Sequence, residues 1–119
     1  MKVMIVDDNE QIRKVIRSVL EDSVESFLEC ADGDDALRAY EEFRPDWVLM
    51  DIGMKRVNGI TATTLIRGSH PDANIIIVTE YDDTLLKEAA RKAGATNYVL
   101  KENLSQIQKM IRKPQQEEQ

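Results

Sequence analysis

Several features are scarce in this sequence, and each scarcity narrows the class of protein. Cysteine occurs once, at Cys30, so no disulfide framework can form within one chain. Long apolar runs are also lacking, because the amino-terminal run over residues 3–6 is too short for a signal peptide or a membrane span. We therefore expect a soluble protein of the cytoplasm that has no contact with a membrane.

Positive charge is scarce as well. The 119 residues include 16 basic and 22 acidic side chains, which gives a net charge of −6 and a pI near 4.8. This balance argues against direct binding of nucleic acid, which needs a basic face. With 42% apolar residues and no internal repeat, the chain suits one globular domain with one core. We place that domain at residues 1–113 and expect residues 114–119 to be a disordered tail or a truncated linker.

Strand and helix signals alternate along the whole chain. Five short apolar runs predict strands, and the segments between them show the spacing or the capping residues of helices. This alternation predicts an α/β fold, a doubly wound parallel sheet with helices on both faces. We choose the flavodoxin-like strand order 2-1-3-4-5. The predicted strands cover residues 3–6, 27–31, 47–51, 75–79 and 98–101; a helix follows each strand, the third over about 59–67 and the last over 105–112.

The third predicted strand is apolar but is followed by an acidic residue. The run Trp47 to Met50 is apolar throughout, as in a strand buried on both faces, and Asp51 follows it directly. An unpaired buried carboxylate is costly, so it neutralises or finds a cation. Open α/β sheets place their ligands at the carboxyl ends of their strands. Asp51 therefore predicts a functional site.

The other strands also end in polar residues. Asp7 and Asp8 follow the first strand, and Thr79 and Lys101 end the fourth and fifth. In the order 2-1-3-4-5 these strands are neighbours, so their exits meet Asp51 in one shallow pocket. Three crowded carboxylates cannot all stay ionised without nearby cations, and hard oxygen ligands favour Mg²⁺. An acid nucleophile, a metal, an ammonium and a hydroxyl together suit the acceptance of a phosphoryl group.

These residues carry a resemblance to a known family. The pair Asp7-Asp8, Asp51 within VLMDIGM, Gly59, Thr79 after the isoleucine-rich strand, and Tyr98-x-x-Lys101 resemble the receiver domain of bacterial two-component response regulators, including the chemotaxis regulators. The likeness covers residues 2 to about 112. Each motif alone is weak, but five in order at strand ends are specific.

The resemblance implies a role for each site residue. Asp51 would be the phosphoacceptor for a histidine kinase or a phosphotransfer protein. Thr79 and Lys101 would hold the phosphoryl oxygens, and Tyr98 would rotate inward when Thr79 moves. The implied Mg²⁺ ligands are Asp7, Asp8, Asp51 and the backbone carbonyl of Gly53.

The resemblance also implies partners. The fourth helix, fifth strand and fifth helix would form the surface that controls an output domain or a downstream protein, and a phosphorylation-dependent homodimer is a further implied state. The domain would not be an enzyme beyond catalysing its own phosphorylation and dephosphorylation.

Three positions depart from the pattern of the family. Lys55 and Glu102 stand where proline is common, and Glu80 follows the threonine where a small residue is usual. We expect Glu80 to overhang the pocket and to slow phosphorylation by small anionic donors. The alternative is that Glu80 turns outward to meet Lys55, Arg56 or Lys101.

Other interpretations remain open from the sequence. A Mg²⁺ phosphohydrolase of the haloacid-dehalogenase type would have a second aspartate at position 53, which is Gly53 here. A flavin-binding domain would need a phosphate-binding loop after the first strand, where this chain has acids. A receiver-like module that is never phosphorylated is the third alternative. Asp7 and Asp8 could also merely cap a helix, and Thr79 and Tyr98 could merely pack.

Overall fold

A computed structural model describes the backbone of residues 1–117 and the side chains of residues 1–112. Within residues 1–117, five parallel strands form one sheet in the order β2-β1-β3-β4-β5, which confirms the predicted fold class and strand order. The edge strand β2 is half-buried along its length, whereas every residue of β3 is buried. The strands are β1 (Lys2–Val6), β2 (Ser26–Cys30), β3 (Trp47–Met50), β4 (Ile75–Thr79) and β5 (Asn97–Leu100).

A helix follows each strand. Short 3₁₀ turns precede the second helix, at Gly33–Asp35, and the last helix, at Lys101–Asn103. Lys101 therefore opens a turn rather than ending β5. In the part of the chain that the structure describes, no helix combines the length and the apolar character needed to cross a membrane. The helices are α1 (Glu10–Leu20), α2 (Ala36–Phe43), α3 (Gly59–Ser69), α4 (Thr84–Ala93) and α5 (Ser105–Glu117).

Two helices are longer than predicted. Helix α3 continues to Ser69, and α5 continues past Arg112 to Glu117. The expected tail over 114–119 lies outside the residues whose side chains are described, so the domain boundary at 113 stays a prediction.

Capping side chains fix where the helices start. Asn9 and Asn58 accept hydrogen bonds from backbone N–H groups in the first turns of α1 and α3, and Asp83 does the same for α4. Gly94 ends α4 with φ +104°, a left-handed conformation that glycine adopts without steric cost. The loops at the carboxyl edge of the sheet are thus held by their own polar residues.

The helices cover the two faces of the sheet. The face that bears α1 and α5 buries a cluster that includes Ile5, Ile16, Trp47 and Ile107. The opposite face, under α2, α3 and α4, buries a second cluster that includes Met4, Met50 and Ile66. Burial of these side chains is the main source of stability, at about 25 cal/mol per Å² of apolar surface.

The strand register brings the predicted site residues together. Val6 pairs with Met50, and Met50 pairs with Ile77, so β1 and β3 end side by side. The backbone N–H of Asp51 donates to the carbonyl of Val6 across 2.8 Å. The residues that follow β1 and β3 therefore begin at the same edge.

Candidate functional site

The floor of the site is an ion-pair cluster of three side chains. Lys101 Nζ lies 3.1 Å from Asp7 Oδ2 and 3.3 Å from Asp51 Oδ1. Asp7 is 1% exposed and Asp51 6% exposed, so both carboxylates are almost removed from water. Because one ammonium faces two carboxylates, the floor keeps an excess of negative charge.

The acidic residues leave room for a divalent cation. Carboxylate oxygens of Asp7, Asp8 and Asp51 all lie within 4.8 Å of one another. Asp7 Oδ1 accepts a hydrogen bond from the N–H of Asn9, whereas the buried Oδ2 has only the ion pair with Lys101, 3.1 Å away, among the described residues. A buried carboxylate oxygen that accepts no backbone hydrogen bond, within a set of hard oxygen ligands, fits Mg²⁺.

Burial and charge perturb the ionisation of this cluster. Burial, the largest cause, and the neighbouring charge of Asp7 raise the pKa of Asp51 from an ordinary 3.8 to about 6, against the opposing effect of Lys101. Burial lowers the pKa of Lys101, but the carboxylates of Asp51 and Asp7 outweigh it and leave that pKa above its ordinary value. Lys101 therefore stays charged at neutral pH, and Asp51 is mostly ionised there.

Two glycines shape the loop that follows Asp51. Gly53 lines the pocket opening together with Asp8 and Asp51. A Cβ on Gly59 would lie 1.8 Å from the carbonyl oxygen of Asp51, so only glycine lets α3 begin so close to that backbone. The Gly59 position thereby fixes where the Asp51 backbone sits.

Thr79 and Tyr98 are connected to each other but are not at the pocket surface. Thr79 is fully buried, and its Oγ1 accepts a hydrogen bond of 3.2 Å from the N–H of Tyr81. The hydroxyl of Tyr98 donates to the carbonyl of Tyr81 across 2.6 Å. Tyr81, which the sequence did not single out, is therefore the residue that joins them.

Glu80 is exposed at the pocket opening. It lines the same pocket as Asp51 and Lys101. Among the described residues Glu80 forms no ion pair, since Lys101 pairs with acids of the floor and Arg56 pairs with Asp34 instead. The geometry therefore differs from the alternative in which Glu80 turns outward to meet a basic residue, while its effect on phosphorylation stays a prediction.

Sequence reasoning missed Arg13. Its Nη1 donates to the backbone carbonyl of Asp7 across 2.7 Å, and its Nε pairs with Glu29 of β2 across 2.8 Å. The contact joins residues 16 positions apart, and one polar residue on a helix gives no sign of such a partner.

Comparison with known proteins identifies the family. The sequence profile described as "Response regulator receiver domain" matches residues 3–112. The chain is 41% identical, over 86% of its length and 49% of the relative, to the uncharacterized transcriptional regulatory protein YhcZ of Bacillus subtilis. It is 38% identical to the chemotaxis protein CheY of Halobacterium salinarum, over 84% of this chain and 83% of that protein. The chain spans about half the length of the transcriptional regulators it matches.

Solved structures agree with the sequence comparison. A LuxR-family two-component response regulator from Aurantimonas sp. SI85-9A1 superposes with a TM-score of 0.83 at 32% identity, over 94% of this chain and 85% of that one. A LuxR-family DNA-binding response regulator from Staphylococcus aureus gives 0.86 at 27% identity, over 94% and 96% of the two chains. A polar cluster at the strand exits, on this fold and with this profile, shows that the chain belongs to the response regulator receiver domains of two-component signalling.

Proposed function

We propose that this domain accepts a phosphoryl group on Asp51 from a histidine kinase or a phosphotransfer protein and passes the signal to an output partner. The observation that carries the proposal is the placement of Asp51: a buried carboxylate with a raised pKa, 3.3 Å from Lys101 and beside two further acids. Burial of this carboxylate lowers the stability of the fold, and ionisable groups with a perturbed pKa are concentrated at functional sites.

Asp7, Asp8, Asp51 and the backbone carbonyl of Gly53 would hold Mg²⁺. The bound ion supplies positive charge that offsets the charge of the incoming phosphoryl oxygens. Two observations support this assignment: Asp7 Oδ2 accepts no hydrogen bond among the described residues, and oxygens of the three carboxylates lie within 4.8 Å of one another. Because Asp8 is exposed, it can rearrange around the ion without disturbing the core.

The transfer itself needs an ionised nucleophile. A carboxylate oxygen of Asp51 attacks phosphorus, a new O–P bond forms, and the bond from phosphorus to the donor atom breaks with its electron pair leaving on the donor. With a pKa of about 6, Asp51 is mostly ionised at neutral pH. Lys101 is already within 3.3 Å of Asp51 and can transfer its pairing from the carboxylate to the phosphoryl oxygens.

The signal would leave the site through Tyr81. In this structure Thr79 Oγ1 accepts a hydrogen bond from the N–H of Tyr81. If the hydroxyl moves to donate to a phosphoryl oxygen, it moves away from that N–H. The carbonyl of Tyr81 holds the hydroxyl of Tyr98, so a shift of this residue moves both contacts together. Tyr98 lies beside α4, with Lys87 Nζ 5.9 Å from its ring centroid.

The surface reached in this way is the face of α4, β5 and α5. Leu85 on α4 is 81% exposed, and Lys87, Arg91 and Tyr98 line a groove between α4 and β5. An exposed leucine beside a groove suits contact with an output domain or protein. The same face would serve a homodimer that forms on phosphorylation.

The test is the intact mass of the protein after incubation with acetyl phosphate and Mg²⁺. We expect a gain of one phosphoryl group in the wild type and none in Asp51→Asn. The control Asp22→Asn removes an exposed acid outside the pocket and should be labelled like the wild type. Absence of labelling with both acetyl phosphate and a panel of histidine kinases would contradict the proposal and favour a module that is never phosphorylated.

A further inference from the structure

The loop between β3 and α3 covers residues 51–58 and carries Gly53. Its two ends are fixed locally, because the carbonyl of Ile52 accepts hydrogen bonds from Met54 N–H at 3.1 Å and from Gly59 N–H at 3.0 Å. These bonds join the two ends of the loop. The residues between Met54 and Gly59 are held by another segment of the chain.

The turn after β2 holds that outer part. Asp32 Oδ2 accepts from the N–H of Arg56 at 3.0 Å, and Oδ1 accepts from the N–H of Val57 at 2.9 Å. Oδ1 also accepts from Asp34 N–H at 3.2 Å, which fixes the rotamer of the carboxylate. One side chain thus receives two backbone donors from a loop that lies 24 and 25 residues away in the chain.

Close packing accompanies these bonds. A Cβ on Gly33 would lie 2.4 Å from the carbonyl oxygen of Val57, so the turn approaches the loop more closely than any side chain would permit. Val57 and Met54 also pack against the core on this face. Burial opposes ionisation of Asp32, but its backbone N–H partners outweigh that effect and hold the pKa of Asp32 below its ordinary value.

We propose that Asp32 is a positioning residue for the metal site: it fixes the loop that presents the Gly53 carbonyl, although it lies outside the pocket. The inference rests on the proposed function, because it assumes that Gly53 contributes a ligand. Glycine has more backbone freedom than any other residue, so an unclamped loop must be ordered whenever the ion binds. We call the two bonds from Arg56 and Val57 to Asp32 the clamp. With the clamp in place, most of that ordering is present before the ion binds.

The clamp predicts a defined effect on metal affinity. Outer hydrogen-bond partners of metal ligands change affinity by roughly 10- to 100-fold, and a partner that acts through a loop belongs at the lower limit. We expect Asp32→Ala to weaken Mg²⁺ binding about tenfold, as measured by calorimetric titration. Asp32→Asn keeps one acceptor oxygen but turns an amide donor toward a backbone N–H, so its loss should be intermediate.

Kinetics separate positioning from a general loss of structure. The rate of Asp51 labelling by acetyl phosphate is measured over a range of Mg²⁺ concentrations. A positioning role raises the Mg²⁺ concentration needed for half of the maximal rate and leaves the rate at saturating Mg²⁺ within about twofold of wild type, since excess ion compensates for weaker binding. A purely structural role lowers Tm and leaves the half-maximal concentration unchanged.

Asp34→Asn is the matched control. It removes the negative charge from the ion pair of 3.2 Å between Asp34 Oδ2 and Arg56 Nη1 on the same turn, but keeps both bonds from the loop backbone to Asp32. Its Mg²⁺ affinity should equal that of the wild type. If Asp32→Ala does not fold, Asp32→Asn decides the question by the same titration.

Two results distinguish the inference from the function on which it rests. If the wild type binds Mg²⁺ and is labelled, but a folded Asp32 variant binds Mg²⁺ as tightly, the clamp is overturned and the proposed function stands. If the wild type itself binds no Mg²⁺, the proposed metal site is overturned, and the positioning role with it.

Discussion

The two sides of the pocket are built differently. On the acid side, the backbone of Asp7 is bonded to Cys30 and to Arg13, and the backbone of Asp51 is bonded to Val6, at distances of 2.7 to 3.0 Å. On the other side, between β4 and α4, Tyr81 joins the site to the surface: its N–H donates to Thr79 Oγ1, and its carbonyl accepts from the hydroxyl of Tyr98.

The contrast indicates a division of labour. Backbone bonds to neighbouring strands, and an arginine that links the Asp7 carbonyl to Glu29, resist displacement, so the acid side can hold an ion and a nucleophile in fixed positions. The β4–α4 side depends on two hydroxyl contacts, each with a net worth of about 1 kcal/mol, and can therefore be rearranged by a phosphoryl group. The acid side holds the nucleophile and the metal ligands in place, and the β4–α4 side changes its hydrogen bonds when the phosphoryl group arrives.

Removal of Mg²⁺ should have the largest effect on the acid side. Without the ion, the anionic donor meets three carboxylates and one ammonium, and at an effective dielectric of about 20 the net repulsion is on the order of 4 kcal/mol. Labelling of Asp51 in excess EDTA should therefore fall at least about a hundredfold. Asp8→Asn, which removes an exposed ligand charge, should weaken Mg²⁺ binding without loss of Tm. Undiminished labelling in EDTA would refute the metal assignment.

The buried charge on the same side should cost stability in the absence of the ion. The folded-state pKa of Asp51 is about 6 against 3.8 ordinarily, so between these values the folded state binds a proton that the unfolded state does not. Stability thus falls as pH rises through this window and stays low above it, by about 3 kcal/mol.

Asp51→Asn cannot ionise, so it should be more stable than wild type by about 2 kcal/mol at pH 7.5 in EDTA. Urea denaturation at several pH values measures this gain, which should shrink as pH falls from 6 to 4. A gain that is independent of pH would mean that the ionisation of Asp51 is not its cause.

Changes on the β4–α4 side should separate labelling from response. Thr79→Ala removes a hydroxyl but no charge, so Asp51 should still be labelled, more slowly by about tenfold. The labelled variant should show no change in the amide chemical shifts of Tyr98 and α4. Tyr98→Phe breaks only the outer bond to Tyr81, so it should be labelled at the wild-type rate. A full response in labelled Thr79→Ala would contradict the path through Tyr81.

The smallest effect is expected at the opening of the pocket. One charge at ~6–8 Å and an effective dielectric of about 20 repels an anionic donor by roughly 2 kcal/mol, and water screens most of this. Glu80→Gln should therefore speed labelling by acetyl phosphate about two- to threefold at low salt, and the gain should shrink as salt rises. Glu21→Gln makes the same change in net charge away from the pocket and should have no effect. An equal gain in both variants would rule out a local effect of Glu80.

The sequence predicted the parts of this molecule that depend on short-range patterns. The apolar run that ends at Asp51 and the polar exits of the other strands were sufficient to predict that Asp7, Asp8, Asp51 and Lys101 lie at one edge of the sheet. The alternation predicted the parallel α/β class, and the order 2-1-3-4-5, chosen among the common doubly wound orders, is confirmed by the structure.

Contacts that cross the chain could not be predicted in the same way. The carboxylate of Asp32 accepts from a loop 24 and 25 residues further along the chain, and no pattern in the sequence near Asp32 indicates such a partner. Tyr81 acts through its backbone N–H and carbonyl, which every residue except proline has, so its side-chain type does not reveal the role. The continuation of α5 beyond Pro114 also escaped a prediction based on composition, since helix ends depend on tertiary context.

The close approach of Gly59 to the Asp51 carbonyl bears on the transfer of this site to other scaffolds. A protein engineer who copied only the acids, the threonine and the lysine onto another doubly wound sheet would leave out Gly59, whose lack of a side chain lets α3 begin against the backbone of Asp51. Any other amino acid at that position would bring its Cβ within 1.8 Å of the Asp51 carbonyl oxygen, so the start of α3 and the backbone of Asp51 would have to move apart. A functional copy of the site therefore needs the glycine at position 59 as well as the polar side chains.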